Sequence, residues 1–255
     1  MRRTVFLAAA ACASLLSPHY VLADQAASST EAANPVDPKS VDALRKMGTY
    51  LQSLKSFGVT TQLTAERVLE DGQKLQHAAE AELQVARPNK LRAKLATANN
   101  QREILYDGKT VVLYSPAQKY YSSLDWNGSI GELATGLQRK YGVELPLADL
   151  FLWGTAEAPF DKIESAMNAG QDLVDGEVCD HYAFREGQLD WQIWILAGAK
   201  PLPRKVVITN RADEARPQSV STINWNLNAH ASASSFSFSA PKGSKKIEIV
   251  PMKTN

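Results

Sequence analysis

Apolar and polar positions change period several times along this chain, and each change marks an element. Val41, Leu44, Met47, Leu51 and Leu54 recur at helical spacing behind Asp37 and Pro38, an N-cap followed by proline at the first helical position. They predict one amphipathic helix ending near Phe57-Gly58. From Phe57 the period falls to two: Phe57, Val59, Thr61, Leu63 and Ala65 alternate with Thr60, Gln62, Thr64 and Glu66. Asp71-Gly72 suits a hairpin turn. On the return strand Leu75, His77, Ala79, Ala81, Leu83 and Val85 lie opposite Gln76, Glu80, Glu82 and Gln84. After Pro88-Asn89, Leu91, Ala93 and Leu95 alternate with Lys90, Arg92 and Lys94. Three successive strands with one apolar and one polar face predict an antiparallel meander wet on one side.

Arg102–Tyr106 and Thr110–Tyr114, joined by Asp107-Gly108, continue the meander, and Ser115-Pro116 turns into Lys119–Leu124. The period then becomes helical again. Ser129 and Glu132 have capping-box spacing, ahead of Ile130, Leu133, Leu137 and Tyr141. Pro146 opens a second expected helix, Leu147–Trp153, which is apolar nearly all round and must be buried or must cover something apolar. Strands resume in Leu173–Phe184, with a hairpin at Asp175-Gly176, and in Leu189–Leu196, Arg204–Asn210 and Val220–Asn228. A last apolar segment is Ile247–Val250. No Pro/Gly linker and no internal repeat divides residues 37–255. The expectation is one mainly β (α+β) domain with a helical lid over 129–153, behind a disordered Ala/Ser/Thr/Glu leader at 24–36.

The first residues have the grammar of a secretory signal peptide. Arg2 and Arg3 precede the apolar stretch Val5–Leu16, which is too short to span a bilayer, and Val21-Leu22-Ala23 places small residues at −3 and −1. Cleavage before Asp24 and a periplasmic location are expected. Cys12 follows Ala9-Ala10-Ala11, without the large aliphatic residue that usually precedes a lipidated cysteine. Removing residues 1–23 takes away Arg2 and Arg3 and no acid. That leaves 26 basic against 27 acidic side chains and no segment able to span a membrane. A near-neutral surface argues against nucleic acid as a partner. Cys179 is the single mature cysteine, so no internal disulfide forms and the core must hold the fold.

The placed elements resemble the LolA/LolB-like superfamily of bacterial envelope proteins, and most closely the domain-of-unknown-function family 2092. The resemblance is carried by Met47–Phe57, by Arg87-Pro88-Asn89-Lys90-Leu91-Arg92, and by Tyr106-Asp107-Gly108-Lys109 with Tyr114-Ser115-Pro116. Phe236-Ser237-Phe238 with Pro241-Lys242-Gly243 completes it. These segments are mostly turn chemistry and core. The resemblance implies a curled antiparallel half-barrel of about 10–11 strands, with helices closing its concave side over space for an acyl chain.

Catalytic constellations are missing from the sequence: there is no HExxH, no Gly-x-Ser-x-Gly, no glycine-rich phosphate loop and no Cys-x-x-Cys. Cys179 and His181 share a strand face at period two, the one arrangement with nucleophilic or metal-binding character. Residues i and i+2 point in parallel, so ordinary packing is the commoner outcome. Trp153, Trp191, Trp194 and Tyr182 suit either a ligand platform or core. The expected function is therefore non-catalytic, with no cofactor and no metal: a periplasmic carrier or sensor holding an acyl chain or other apolar small molecule. Its hydrophobic groove is expected to be lined by Phe57, Val59, Leu63, Leu83, Leu91, Leu95, Leu137, Leu150, Phe151, Trp153, Trp191 and Ile193. The alternative is a periplasmic interaction module with a filled core that binds an envelope protein.

Overall fold

A computed structural model describes residues 35–229 and 231–252. The signal segment and most of the leader lie outside the described residues. Helix α1, Pro38–Ser53, starts as its sequence dictates: the Asp37 carboxylate accepts from the backbone N–H of Lys39 and Ser40, at 3.1 and 3.0 Å. Just before it, Val36 bridges Ala166 and the Asp37 N–H donates to the Ala166 carbonyl at 3.0 Å.

Two meanders share one sheet. The first comprises β1 (Ser56–Val68), β2 (Lys74–Ala86), β3 (Lys90–Ala96), β4 (Gln101–Tyr106), β5 (Thr110–Ser115) and β6 (Tyr120–Asp125). The second comprises β7 (Ser165–Val174), β8 (Glu177–Glu186), β9 (Leu189–Leu196), β10 (Pro203–Asn210) and β11 (Gln218–Asn226). β11 returns to pair antiparallel with β1, so the meanders are welded at their first and last strands. A two-residue β12, Lys245–Lys246, adds in parallel to β6. The order is β12-β6-β5-β4-β3-β2-β1-β11-β10-β9-β8-β7, twelve strands in all, slightly more than the pattern predicts. β12 and β7 stay unpaired with each other, so the sheet curls without closing.

This topology forces the β6–β7 connection to travel from one edge of the sheet to the other, which places it over the apolar face. It holds α2 (Ile130–Tyr141) and two 3₁₀ turns, Ala148–Phe151 and Phe160–Lys162. Ser129 and Glu132 form the expected capping box, and Gly142 ends α2 at φ 65°, the left-handed C-cap geometry glycine favours. The expected second α-helix, Leu147–Trp153, is instead a single 3₁₀ turn. Leu147 sits at φ 54° and Gly154 at φ 82°, so left-handed residues bracket the segment and a regular helix cannot propagate through either. Leu150, Phe151 and Trp153 are nonetheless buried, with Leu147 and Leu152 half-buried beside them.

Two buried clusters fill the space beneath. One joins α2 (Ile130, Leu133, Leu137) and Phe151 to Phe57, Val59, Leu83, Leu91, Tyr106 and Ile223. The other joins α1 (Leu44, Met47, Leu51), Leu150 and Trp153 to Tyr182, Phe184, Ile193 and Ile195. α1 and the lid segment touch backbone to backbone. A Cβ on Gly48 would lie 2.5 Å from the Gly154 nitrogen. Beside it the Gln52 side chain donates to the Trp153 carbonyl at 2.7 Å. No helix among the described residues is long and apolar enough to cross a membrane.

Candidate functional site: a lidded cavity at one end of the sheet

The register assigns the concave face strand by strand. Ala93 faces Ile104, Ile104 faces Leu113 and Leu113 faces Ser122, while Leu95 faces Arg102 and Ser115 faces Tyr120. Cross-strand partners point to the same side, so these residues line one continuous surface. Above it the chain leaves α2 at Gly142 and runs through Val143, Glu144 and Pro146. Beside it lies Ile247. Together they enclose a cavity of about 410 Å³ that opens to solvent. The value falls in the range of about 300–1,000 Å³ usual for small-ligand sites.

Local chemistry explains why space remains here. Beyond the last turn of α2 the inward positions become small or polar: Ala93, Ser115 and Ser122. They do not reach the roof, and the helix that would cover them has ended. The roof is fixed by the αL cap, with Gly142 N–H donating to the Gln138 carbonyl at 3.0 Å and Val143 N–H to the Leu137 carbonyl at 3.2 Å. The side wall is held by Ile247 N–H to the Tyr121 carbonyl at 2.8 Å and by the Ser122 hydroxyl to the Ile247 carbonyl at 2.9 Å. Farther on, Met252 N–H donates to the Lys140 carbonyl at 2.9 Å and ties the C-terminal segment to the end of α2.

Of the expected groove residues, Leu95 borders this cavity. Phe57, Val59, Leu83, Leu91, Leu137 and Phe151 are buried in the α2 cluster, with Leu63 packed at its margin. Leu150, Trp153 and Ile193 are buried in the α1 cluster, with Trp191 at its margin. The space between the 3₁₀ turn and the sheet is therefore filled by side chains. Large aromatics do this on the α1 side, where Phe184 and Trp191 stack at 4.3 Å and Trp153 lies 5.8 Å from Trp191. The cavity instead lies under residues 142–146. Pattern reading passed over that segment because it carries no period, and it passed over Arg102, Ser115 and Tyr120 because they interrupt the apolar face.

The expected aromatic cluster divides between the two faces of the sheet. Tyr182 pairs with Ile193 on the concave side, whereas Trp194 pairs with His181 on the convex side, the rings stacked at 4.0 Å. Cys179 shares that convex face and is completely buried, beside Val174, Trp194 and Val207. Burial pushes its thiol above the usual cysteine value. Both ring nitrogens of His181 are engaged elsewhere, Nε2 with Gln192 at 3.0 Å and Nδ1 with Asp172 at 3.2 Å. The period-two geometry thus holds, and the imidazole has other partners than the thiol. Among the described residues no three His, Cys, Asp or Glu side chains converge as metal ligands.

Fold and cavity together define an open antiparallel half-barrel with a lidded apolar cavity on its concave side. The particular family follows from the sequence match: the chain belongs to the family described as predicted periplasmic protein (DUF2092), whose profile covers residues 40–250. No curated protein is similar enough in sequence to count as a relative. The chain is similar to the solved structure of LprF from Mycobacterium bovis, with 13% identity and a TM-score of 0.43, covering 75% of this chain and 96% of that one. It is also similar to the Mycobacterium tuberculosis lipoprotein LppX, with 14% identity and a TM-score of 0.40, covering 76% and 98%. A LolA superfamily protein from Nitrosomonas europaea gives 9% identity and a TM-score of 0.35, covering 78% and 97%.

Proposed function

We propose that this protein is a non-catalytic periplasmic binding protein that holds the apolar chain of an amphiphile in the cavity beneath residues 142–146. The observation that carries the reading is the cavity itself. Its floor and walls include Ala93, Leu95, Ile104, Leu113, Val143, Pro146 and Ile247, beside a concave face that is filled beneath α1 and α2. Burying an apolar chain there gains about 0.8 kcal/mol per methylene. Leu95 remains the contact expected from the sequence, and the other lining residues take over from the packed set. Export by cleavage before Asp24 completes the proposal.

Native mass spectrometry of protein purified from the periplasm tests both parts. The expected result is a polypeptide mass starting at Asp24, with a co-purifying single-chain lipid that also raises the melting temperature when added back. A diacylglyceryl group on Cys12 would overturn the export route. Failure of every single-chain amphiphile to bind would overturn the cavity reading.

A second reading, the interaction module, draws on the opposite edge. Among the described residues β7 is unpaired on its outer side except at Val36, and Met167 and Leu173 on it and Val178 on neighbouring β8 are exposed, Leu173 to 71%. Crosslinking from that edge in intact cells, with cavity-binding amphiphiles absent, distinguishes the two.

A further inference from the structure

Resting on the cavity reading, we infer that the ligand is a single-chain amphiphile with a zwitterionic head, and that Arg102 and Glu144 receive its two charges. Arg102 occupies an inward position of β4: it faces Leu95 and shares the concave side with Ile104 and Tyr106. It borders the cavity and is exposed, so its guanidinium is available at the mouth. Glu144 borders the same cavity from the roof and is also exposed. Among the described residues neither forms an ion pair, with the other or with any third side chain. Glu103 also borders the cavity, but its carboxylate is committed to Arg92 at 2.9 Å and Gln101 at 3.0 Å on the convex side, so it does not neutralise Arg102.

The mouth therefore offers one unpaired cation and one unpaired anion that do not reach each other. A purely anionic head satisfies Arg102 and is repelled by Glu144; a purely cationic head meets the reverse. A head carrying phosphate and ammonium satisfies both, because guanidinium groups bind phosphate in a two-pronged way. The Tyr120 hydroxyl lies on the same rim to serve a glycerol or phosphate oxygen, whereas the Ser115 hydroxyl is committed to the Gln118 side chain. A cavity of about 410 Å³ lies toward the lower end of the range of about 300–1,000 Å³ usual for one small ligand, which favours a single chain over two. The chemistry is that of a lysophospholipid with an amine-bearing head.

The test uses the delipidated mature chain and four probes in calorimetric titration: 1-myristoyl lysophosphatidylethanolamine, myristate, tetradecanol and dimyristoyl phosphatidylethanolamine. The expected order places the lysophospholipid tightest, by about fivefold or more over tetradecanol. Arg102→Gln should weaken the lysophospholipid and myristate and spare tetradecanol. Glu144→Gln should weaken the lysophospholipid but strengthen myristate, an opposite sign that a general loss of structure does not produce. Both side chains are exposed, so the apo melting temperatures should stay unchanged. Tetradecanol binding as tightly as the lysophospholipid, or the variants leaving the order intact, would overturn the head assignment while leaving the cavity reading standing. Equal binding of the two-chain lipid would overturn the chain count. Binding of none of the four would overturn the inference and the cavity reading together.

Discussion

Phe151→Ala separates the two places where a ligand chain can lie. Phe151 is 1% exposed and packs beneath α2 with Ile130, Leu133, Leu137 and Tyr106. Its carbonyl also sits against Gly131, where a Cβ would be 3.1 Å away. The ring does not border the cavity. Truncation therefore removes a fully packed aromatic and leaves a void that the β1–β4 face and α2 cannot collapse into, at a cost of about 3–5 kcal/mol. For a domain of this size each kcal/mol shifts the melting temperature by about 2–4 °C, so a drop of about 6–20 °C is expected. Amphiphile affinity of the folded fraction should stay within about twofold, because no lining residue has changed. Leu113→Trp is the converse. An indole at the cavity wall occupies existing space, so stability should change by less than about 1.5 kcal/mol, while chain binding is lost. Urea unfolding monitored by circular dichroism, paired with calorimetric titration of a myristoyl amphiphile, reads both quantities. The reasoning fails if Phe151→Ala abolishes binding without destabilising the protein, for the chain would then lie under the 3₁₀ turn.

Three further outcomes follow from the packing and the electrostatics. Gly48→Ala should destabilise by about 1–3 kcal/mol in urea melts despite the better helix propensity of alanine, worth about 1 kcal/mol, because the new methyl meets Gly154 backbone at 2.5 Å; a stabilised variant would refute the close crossing. Side-chain bonding from Ser40 to Asp37, backbone bonding from Gln218 to Glu66 and from Ser129 to Glu132, and side-chain bonding from Arg185 to Asp190 hold these carboxyls below their usual values. Groups depressed in the folded state stabilise above their unfolded pKa, so stability should fall as pH drops from about 5 toward 2, and a flat acid limb in pH-dependent melts would contradict this. Cys179 should react with an aromatic disulfide reagent only on unfolding, and Cys179→Ala should keep amphiphile binding while losing about 1–2 kcal/mol; rapid native labelling would show that the thiol is not enclosed.

Much of this architecture is written locally. Asp37-Pro38 and Ser129 with Glu132 specify helix starts through side chains a few residues apart, and Gly142 specifies an end through a φ other residues resist. The alternation in β2 and β3 names the buried face because a strand has only two sides. Those signals suffice for an antiparallel meander and a covering helical segment. The 3₁₀ turn at Ala148–Phe151 is less legible. Its apolar residues suit a helix equally well, and the apolar pattern carries no sign of the left-handed Leu147 or of the close crossing of Gly154 over Gly48.

The site depended on tertiary structure for a different reason. Apolar periodicity identifies inward positions and is silent on whether the volume above each is filled. Phe184, Trp191 and Trp153 meet across strands and fill one half of the concave side. Ala93, Ser115 and Ser122 become neighbours only through the β3–β6 register and leave the other half open. Arg102 looks like an ordinary strand charge until that register turns it inward beside Leu95. By itself the sequence determined the strands, the buried faces and the caps, all interactions within a few residues. Where the protein has room for a ligand was decided by long-range pairing, because a cavity is a difference between volumes contributed by residues far apart in the chain.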